Sequence, residues 1–375
     1  MNRLAIPMYA IRHTQIGGTE FAIYNLIHGL SDAGFNSSLY VGRERDLARE
    51  FVTWAQRAPG VNLSMEGGLP GPKGVRFAEE LWFQQRRDAK QWALFPNYFC
   101  PPKLGRSYNR DAVILHDIQY KCYPQYHSDV RKRWLDFYLP TMFDRAGLIA
   151  LISKSELELV RQHFGEKAAD KCAVVYNAVD WGRFDPSVVD SYAPNADRNR
   201  QYILSVCHQF PHKNVQTLLQ AFSVVAVHDR DVELFLVGST SAANKDFINR
   251  FLPEHVGKRV HLTGFVSDAR LGQLYAGAAL FALPSLYEGF GMPAVEALGL
   301  GVPTLVSRCS AMPEVTLGFA DYVDDPLSAE EWANAIIDVM QSGVRIDSKQ
   351  VATIRQTYDP VAIAQNLLAQ MAKRT

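Results

Sequence analysis

The sequence predicts an α/β protein with parallel sheets, divided into two domains. Three observations predict it. Short apolar runs alternate with longer amphipathic segments along the chain, the pattern of strands joined by crossover helices. The 375 residues suffice for two domains of ordinary size. A polar, proline-containing stretch from Val188 to Arg200 separates two sets of alternating elements and reads as a linker. The expected domains are 1–187 and 188–358, with 359–375 as a terminal helical segment.

In the first domain, strands are expected near Leu4–Met8, Ser38–Val41, Ala112–His116, Leu148–Ile152 and Ala173–Val175. Helices are expected near Thr19–Asp32, Val75–Trp92, Val130–Arg145 and Lys154–Gly165. The last of these opens on Ser153 with Glu156 three residues on, a capping box. In the second domain, strands are expected near Tyr202–Val206, Glu233–Val237, Val260–Leu262, Ala279–Leu283 and Pro303–Val306, most followed by helices. The final helix covers Pro360–Lys373.

Composition narrows the class. Formal net charge is zero, whereas a protein binding nucleic acid over a wide surface is normally basic. The five cysteines are scattered, with no C-x-x-C or Cys/His cluster, so neither a disulfide framework nor a zinc site is indicated. Free thiols fit a reducing compartment. The apolar run at Met1 to Ala10 is too short for a signal peptide, and no run approaches the about 18 apolar residues of a membrane span. The expected location is cytoplasmic, extending to the inner face of the cell membrane.

The stretch Pro284 to Glu296 (P-S-L-Y-E-G-F-G-M-P-A-V-E) is the most informative in the chain. It follows a buried-strand run and leads into a short helix with proline at its start. The loop between holds one acid, Glu288, two glycines, Gly289 and Gly291, and the aromatic Phe290. Bare backbone from Gly289 to Met292, followed by a helix N-terminus, offers N–H groups to an anion or a polyol. Glu296 sits about one turn into the helix, so the two acids can meet one ligand at opposite ends. By themselves, two glutamates eight apart are equally compatible with ordinary turn chemistry.

Four further places invite a ligand. Gly17 and Gly18 follow the first strand and precede an amphipathic helix, which reads either as a phosphate-approaching loop or as a plain turn capped by Thr19. His116 and Asp117 end a strand, where ligands of open α/β sheets bind, although a lone histidine is more often structural. In Phe210-Pro-His212-Lys213-Asn214 a lysine opens a helix against the macrodipole; it wants an anion there, or is solvated. Val260 to Val266 is a strand ending in Gly264-Phe265.

The string from Glu288 to Glu296 resembles the E-G-F-G-x-P-x-x-E signature of retaining nucleotide-sugar glycosyltransferases, those of the GT-B type in glycosyltransferase family 4, or group 1. The likeness continues through Gly301-Val-Pro-Thr-Leu-Val-Ser307 and Pro313-Glu314-Val315, and through Val175-Tyr-Asn177-Ala178-Val-Asp180 with Phe184, where Ala178 replaces the usual glycine. It implies two Rossmann-like domains with parallel sheets facing across a cleft, and a C-terminal helix crossing back to the first domain. It implies roles as well. Gly17 and Gly18 approach the donor diphosphate and the acceptor, and His116 faces the donor sugar. Asn177 contacts the diphosphate or makes a turn. Lys213 neutralises the leaving diphosphate. His208 stands where the family has an arginine, which puts the second positive charge in doubt, and His212 is a substitute. Phe265 and Val266 lie where the base is held. Glu288 meets the donor sugar, Gly289 to Met292 reach sugar hydroxyls and phosphate, and Glu296 binds the ribose hydroxyls.

No Asp-x-Asp stands at a strand end where a Mg²⁺–diphosphate would need it, so no metal or other cofactor is expected. Two basic, aromatic clusters, Trp82 to Trp92 and Arg131 to Trp134, read as solvated helix faces or as surfaces resting on an anionic leaflet. The expected activity is transfer of a hexose, mannose favoured, from GDP-mannose or a UDP-hexose to a glycolipid or polyprenyl-linked saccharide in surface-polysaccharide synthesis. The alternatives are a disaccharide phosphorylase or synthase on the same fold, or an inactive nucleotide-sugar-binding scaffold, the last resting on His208 alone.

Overall fold

A computed structural model describes residues 3–9, 11, 17–42, 47–65, 73–88, 90–97, 99–101, 110–184, 201–208 and 210–374. The expected linker, Val188 to Arg200, and the boundary at 187/188 lie outside these residues. The chain forms two compact units, Met1–Val179 with Tyr358–Thr375, and Asp180–Thr357.

The first unit contains, in order, β1 (Leu4–Pro7), α1 (Gly18–Asp32), β2 (Ser37–Val41), α2 (Arg49–Ala55), β3 (Val61–Met65), α3 (Lys73–Arg86), β4 (Trp92–Phe95), β5 (Asp111–Leu115), α4 (Gln119–Cys122), α5 (Asp129–Arg145), β6 (Leu148–Leu151), α6 (Lys154–Phe164), α7 (Glu166–Ala169) and β7 (Cys172–Val174). Its seven strands are parallel in the order β3-β2-β1-β4-β5-β6-β7. Helices on both faces explain why β1, β4, β5 and β6 are continuous buried runs rather than alternating ones.

The second unit contains β8 (Tyr202–Val206), α8 (Val215–His228), β9 (Glu233–Val237), α9 (Ala242–Phe251), α10 (Glu254–Gly257), β10 (Val260–Gly264), α11 (Asp268–Gly277), β11 (Leu280–Leu283), α12 (Met292–Gly299), β12 (Thr304–Ser307), α13 (Met312–Val315), β13 (Asp321–Val323), α14 (Ala329–Ser342) and α15 (Ser348–Thr357). Its six strands are parallel in the order β10-β9-β8-β11-β12-β13. Its core gathers Leu218, Phe222, Leu234, Leu280, Trp332 and Ile336, all fully buried. Among the described residues, no helix is long and apolar enough to cross a membrane.

Several elements differ from expectation. The helix expected over Val75–Trp92 stops at Arg86, and Trp92 opens the buried strand β4. Strands β3, β4 and β13 were not expected. The helix cap at the first glycine pair is Gly17 rather than Thr19; the Gly17 N–H donates to the Glu20 carboxylate at 3.1 Å. Arg87, in the first basic cluster, is no surface charge. It is buried in an ion pair with Asp111, and its Nε donates to Gln84 Oε1 at 2.7 Å. Arg86 remains exposed, stacked over Trp82 at 4.5 Å.

The last helix, α16 (Pro360–Ala372), belongs to the first unit. The Val179 N–H donates to Tyr358 O at 2.9 Å, and Asn366 Nδ2 donates to Val174 O at 3.1 Å. Helix α1 meets α16 at Gly29, where a Cβ would overlap the Pro360 backbone. Backbone cannot swing aside as a flexible side chain can, so Gly29→Val is expected to lower stability by about 1–3 kcal/mol. Urea denaturation of the two proteins measures it, and equal midpoints would show that α16 docks without this close approach.

Candidate active site

In the second unit every strand points the same way, so the loops after β8, β9, β10, β11 and β12 gather along one carboxyl edge. These loops carry almost all the polar residues singled out in that domain. The loop after β9 comes so close to the loop after β8 that Gly238, at φ +118°, has no room for a Cβ against the Cys207 carbonyl. Its N–H donates to Gly264 O at 2.9 Å, tying in the end of β10.

Lys213 and Glu288 come together on this edge. Lys213 Nζ donates to Glu288 Oε1 at 2.6 Å, and the Ser285 hydroxyl donates to the same oxygen at 2.6 Å. Both side chains are largely buried. The Glu288 N–H donates to Ser310 Oγ at 2.9 Å, and Ser310 takes an unusual φ of +41° in that position. The anion that a lysine before a helix calls for is thus a carboxylate of the protein itself. The adjoining Asn214 also has positive φ, +55°, held by its Nδ2 donating to Pro326 O at 2.6 Å and its Oδ1 accepting from Thr217 at 2.7 Å. The His212 carbonyl accepts from the Leu286 N–H at 2.8 Å, a second tie between the loops after β8 and β11.

The loop from Glu288 continues into α12. Gly291, at φ +82°, is the cap, and a Cβ there would collide with the Met312 thioether end. Phe290 and Met292 turn their side chains into the interior, at 3% and 6% exposure, which leaves backbone as what this segment presents. Gly289 is half-buried between Glu288 and Phe290. Of the helix's first three residues, Pro293 has no N–H and the Ala294 N–H donates to Gly291 O at 3.0 Å, which leaves the Met292 N–H at this end.

Glu296, inside α12, is 4% exposed. Its Oε2 accepts from the Tyr275 hydroxyl at 2.9 Å and its Oε1 from Arg183 at 3.3 Å. Burial pushes its pKa up from the ordinary carboxylate value, against the pull of Arg183 and the Tyr275 hydrogen bond. Arg183 also donates to Asp268 at 2.9 Å. A carboxylate oxygen can accept two hydrogen bonds and each of these accepts one, so capacity for a diol remains.

His208 is half-exposed on the same edge. Its Nδ1 lies 3.3 Å from Ser239 Oγ, and its ring stacks on Phe210 and meets Phe265 edge-on. Phe210 in turn stacks on His212. Phe210 and Phe265 are 56% and 67% exposed, and Val266 next to Phe265 is half-buried. Partial burial, then the charge of Lys213, lower the His208 pKa, so His208 is neutral near pH 7. The site therefore has no second cation at the position where an arginine was expected.

In the first unit, His116 and Asp117 end β5 beside the N-terminus of α1. They line a cavity of about 240 Å³ with Thr19, Glu20, Asn97, Tyr120, His127, Arg131 and three leucines. Nucleotide-sized pockets usually run to ~300–1,000 Å³, so this volume suits a smaller polar guest. His116 Nε2 lies 2.9 Å from the Pro96 carbonyl. A carbonyl only accepts, so Nε2 carries the proton and Nδ1 is the acceptor. Burial lowers the His116 pKa, keeping the ring neutral. The buried Nε2 of His127 makes no hydrogen bond among the described residues. Gly17 and Gly18 open α1 next to Thr19. Asn177, 9% exposed, sits in the loop after β7, where the Ala178 carbonyl accepts from Asn25 Nδ2 at 2.9 Å.

Sequence reasoning missed Ser285, Ser310, Arg183 and Tyr275, and took Glu156 only as a helix cap. Glu156 is fully buried, and its Oε2 accepts the Ile118 N–H at 3.0 Å, two residues after His116. It fixes the turn that ends β5. Glu156→Leu orphans that buried N–H and is expected to cost about 1–3 kcal/mol, while Glu156→Gln keeps an acceptor and costs less. Urea unfolding of both variants measures the difference; equal losses would mean that the hydrogen bond is immaterial.

Known proteins agree with this architecture. The family described as glycosyl transferases group 1 matches residues 190–358, and Glycosyltransferase Family 4 matches residues 16–183. The O-antigen chain mannosyltransferase B of Escherichia coli is 28% identical over 277 residues, covering 72% of this chain and 70% of that one. The serotype-specific mannosyltransferase WbdA of Escherichia coli is 29% identical over 205 residues, 52% of this chain, which spans only 25% of that longer protein. Among solved structures, Anabaena Alr3699/HepE in complex with UDP and glucose superposes with a TM-score of 0.72 at 19% identity, covering 100% of both chains. With the two family matches lying end to end over most of the sequence, the chain belongs to the GT-B glycosyltransferases of family 4 and group 1.

Proposed function

We propose that this glycosyltransferase moves a hexose, with mannose favoured, from a nucleoside-diphosphate sugar to a lipid-linked saccharide in surface-polysaccharide synthesis, with retention at the anomeric carbon. It does so at the cytoplasmic face of the membrane. The observation that carries the reading is the Lys213–Glu288 pair, 2.6 Å apart, on the carboxyl edge of a parallel sheet. Lys213 has three donors and gives one to Glu288, leaving two for phosphate oxygens. Glu288, steadied by Ser285 and Ser310, meets the donor sugar. Glu296, oriented by Arg183 and Tyr275, takes the ribose diol. Neutral His116 accepts a sugar hydroxyl at Nδ1. The bond from the anomeric carbon to the phosphate oxygen breaks as the acceptor oxygen bonds on the same face. The acceptor proton passes to the departing phosphate.

The relatives named as mannosyltransferases support mannose as the sugar, for which we take GDP-mannose as the donor, and the neighbour in complex with UDP keeps a UDP-hexose as the rival. No metal is needed in this scheme, because Lys213 and backbone N–H groups meet the diphosphate. Nucleoside-diphosphate release from a panel of GDP- and UDP-sugars, with a polyprenyl-linked acceptor, tests the reading. One donor is expected to react, insensitive to chelator, with Glu288→Ala lowering kcat at least about 100-fold. Turnover undiminished in that variant would refute the assignment.

The neutral state of His208 gives a second test. A bound diphosphate favours protonated His208, so binding takes up a proton and affinity rises as pH falls from 8 towards 6. His208→Arg is expected to bind nucleoside diphosphate about tenfold more tightly at pH 8 and to lose that pH dependence. Calorimetry across pH measures both, and a flat wild-type profile would remove His208 from the diphosphate's surroundings.

A further inference from the structure

A second hollow lies in the first unit, against α2 and separate from the cavity beside His116. It is an open trough of about 790 Å³, and Arg49, Glu50, Trp54, Arg57 and Pro59 are among the residues that line it. That volume falls within the ~300–1,000 Å³ usual for ligand sites. Trp54 is half-buried and held in place: its ring centre lies 3.9 Å from that of His28 and 5.5 Å from that of Phe51. Phe51 in turn is 4% exposed and stacked on Tyr24 at 4.1 Å. A ring fixed in this way loses little freedom when a ligand lies against it. Arg49, Glu50 and Arg57 are exposed, and none of them makes an ion pair among the described residues.

We propose that this trough is a second saccharide site, which holds internal hexose units of the acceptor chain. Three features select the ligand. A pyranose presents C–H bonds of slight positive charge to the negative face of an indole, and Trp54 and Pro59 offer it apolar ground. Arg49 and Arg57 stand roughly 12 Å apart along α2 and the turn after it. That is too far to close on one phosphate, and it suits a long ligand touched at several points. Glu50, in the same lining, repels a polyanion and accepts from hydroxyl groups. The trough's place fits the same ligand. Thr19 and Glu20, at the start of α1, line the cavity beside His116, and His28 of that helix packs on Trp54. Helix α1 therefore sets Trp54 about 13 Å from the cavity, the separation of a few rings in one chain. The proposal rests on, and deepens, the reading of a saccharide acceptor: a chain long enough to reach the trough is held more tightly than a short one.

The test is calorimetric titration of the full chain with α-linked mannohexaose and with mannobiose. Wild type is expected to bind the hexaose at least about tenfold more tightly than the biose. Trp54→Ala and the double variant Arg49→Ala, Arg57→Ala are each expected to lose that tenfold. Trp54→Phe keeps a ring and is expected to stay within about threefold of wild type. Both changes in the double variant fall on exposed residues, and thermal unfolding unchanged from wild type shows that it folds. In transfer assays the double variant is expected to raise KM for the hexaose at constant kcat and to leave KM for the biose as it was. Equal hexaose affinity in wild type and double variant, or a wild type that does not favour the hexaose, overturns the proposal. So does a double variant that loses only partition onto phosphatidylglycerol vesicles, which would assign the trough to a bilayer. If no donor supports transfer while hexaose binding still depends on the trough, the transferase reading fails and the site stands. If transfer proceeds and hexaose affinity ignores the trough, the transferase reading stands and the site fails.

Discussion

Parallel strands covered on both faces leave a protein one place for polar chemistry, the edge where the strands end. Here β1, β5, β11 and the middle of β8 are sealed from water, so all but a few of their side chains are given over to core contacts. The chain changes character abruptly at each carboxyl end. Leu115 gives way to His116 and Asp117, Val206 to Cys207 and His208, and Leu283 to Pro284 and Ser285. The site residues of each unit gather on such an edge because the strands leave them nowhere else to go.

That arrangement burdens the protein with buried charge, and each charge is answered locally. Glu288 has Lys213 and Ser285, Glu296 has Arg183 and Tyr275, and Asp111 has Arg87 and Gln84. A buried pair contributes little net stability, because desolvation offsets most of the attraction, yet removing one partner strands the other at a large cost. Such pairs therefore fix geometry more than they stabilise. The positive φ of Ser310 and Asn214, each beside a site residue and each held by a side-chain hydrogen bond, shows the same preference for position over comfort.

Much of this was legible in advance. The strand β11, the glycine loop and α12 follow from local spacing, and Gly291 is needed for both its φ and its contact with Met312. The Lys213–Glu288 contact was not legible, because 75 residues separate the partners and only the sheet order brings the loops after β8 and β11 together. Arg183 and Tyr275 carried no signal, one in the short 3-10 turn Trp181–Phe184 and the other a routine aromatic on α11. Trp92 was misread because Trp82 to Trp92 keeps helical spacing past a turn in which the Gln91 N–H donates to Asp88 O at 3.1 Å. Strand β3 escaped because, as a half-exposed edge strand, it alternates apolar and polar residues (V-N-L-S-M) where β1, β4 and β6 are continuous apolar runs.

The charge balance at the second unit's edge separates two tasks that a strongly basic loop would combine. Lys213 is neutralised by Glu288, and His208 is uncharged near pH 7, so the unliganded edge presents polarity without a net positive field. An inorganic anion finds little there to attract it. In the reading proposed above, a nucleoside diphosphate brings its own grounds for binding: a ribose diol for Glu296, phosphate oxygens for the spare donors of Lys213, and an aromatic face for Phe265 or Phe210. Under the proposed reading, recognition is spread over the whole ligand instead of resting on its charge. That distribution discriminates a sugar nucleotide from the abundant free phosphates sharing its anionic group.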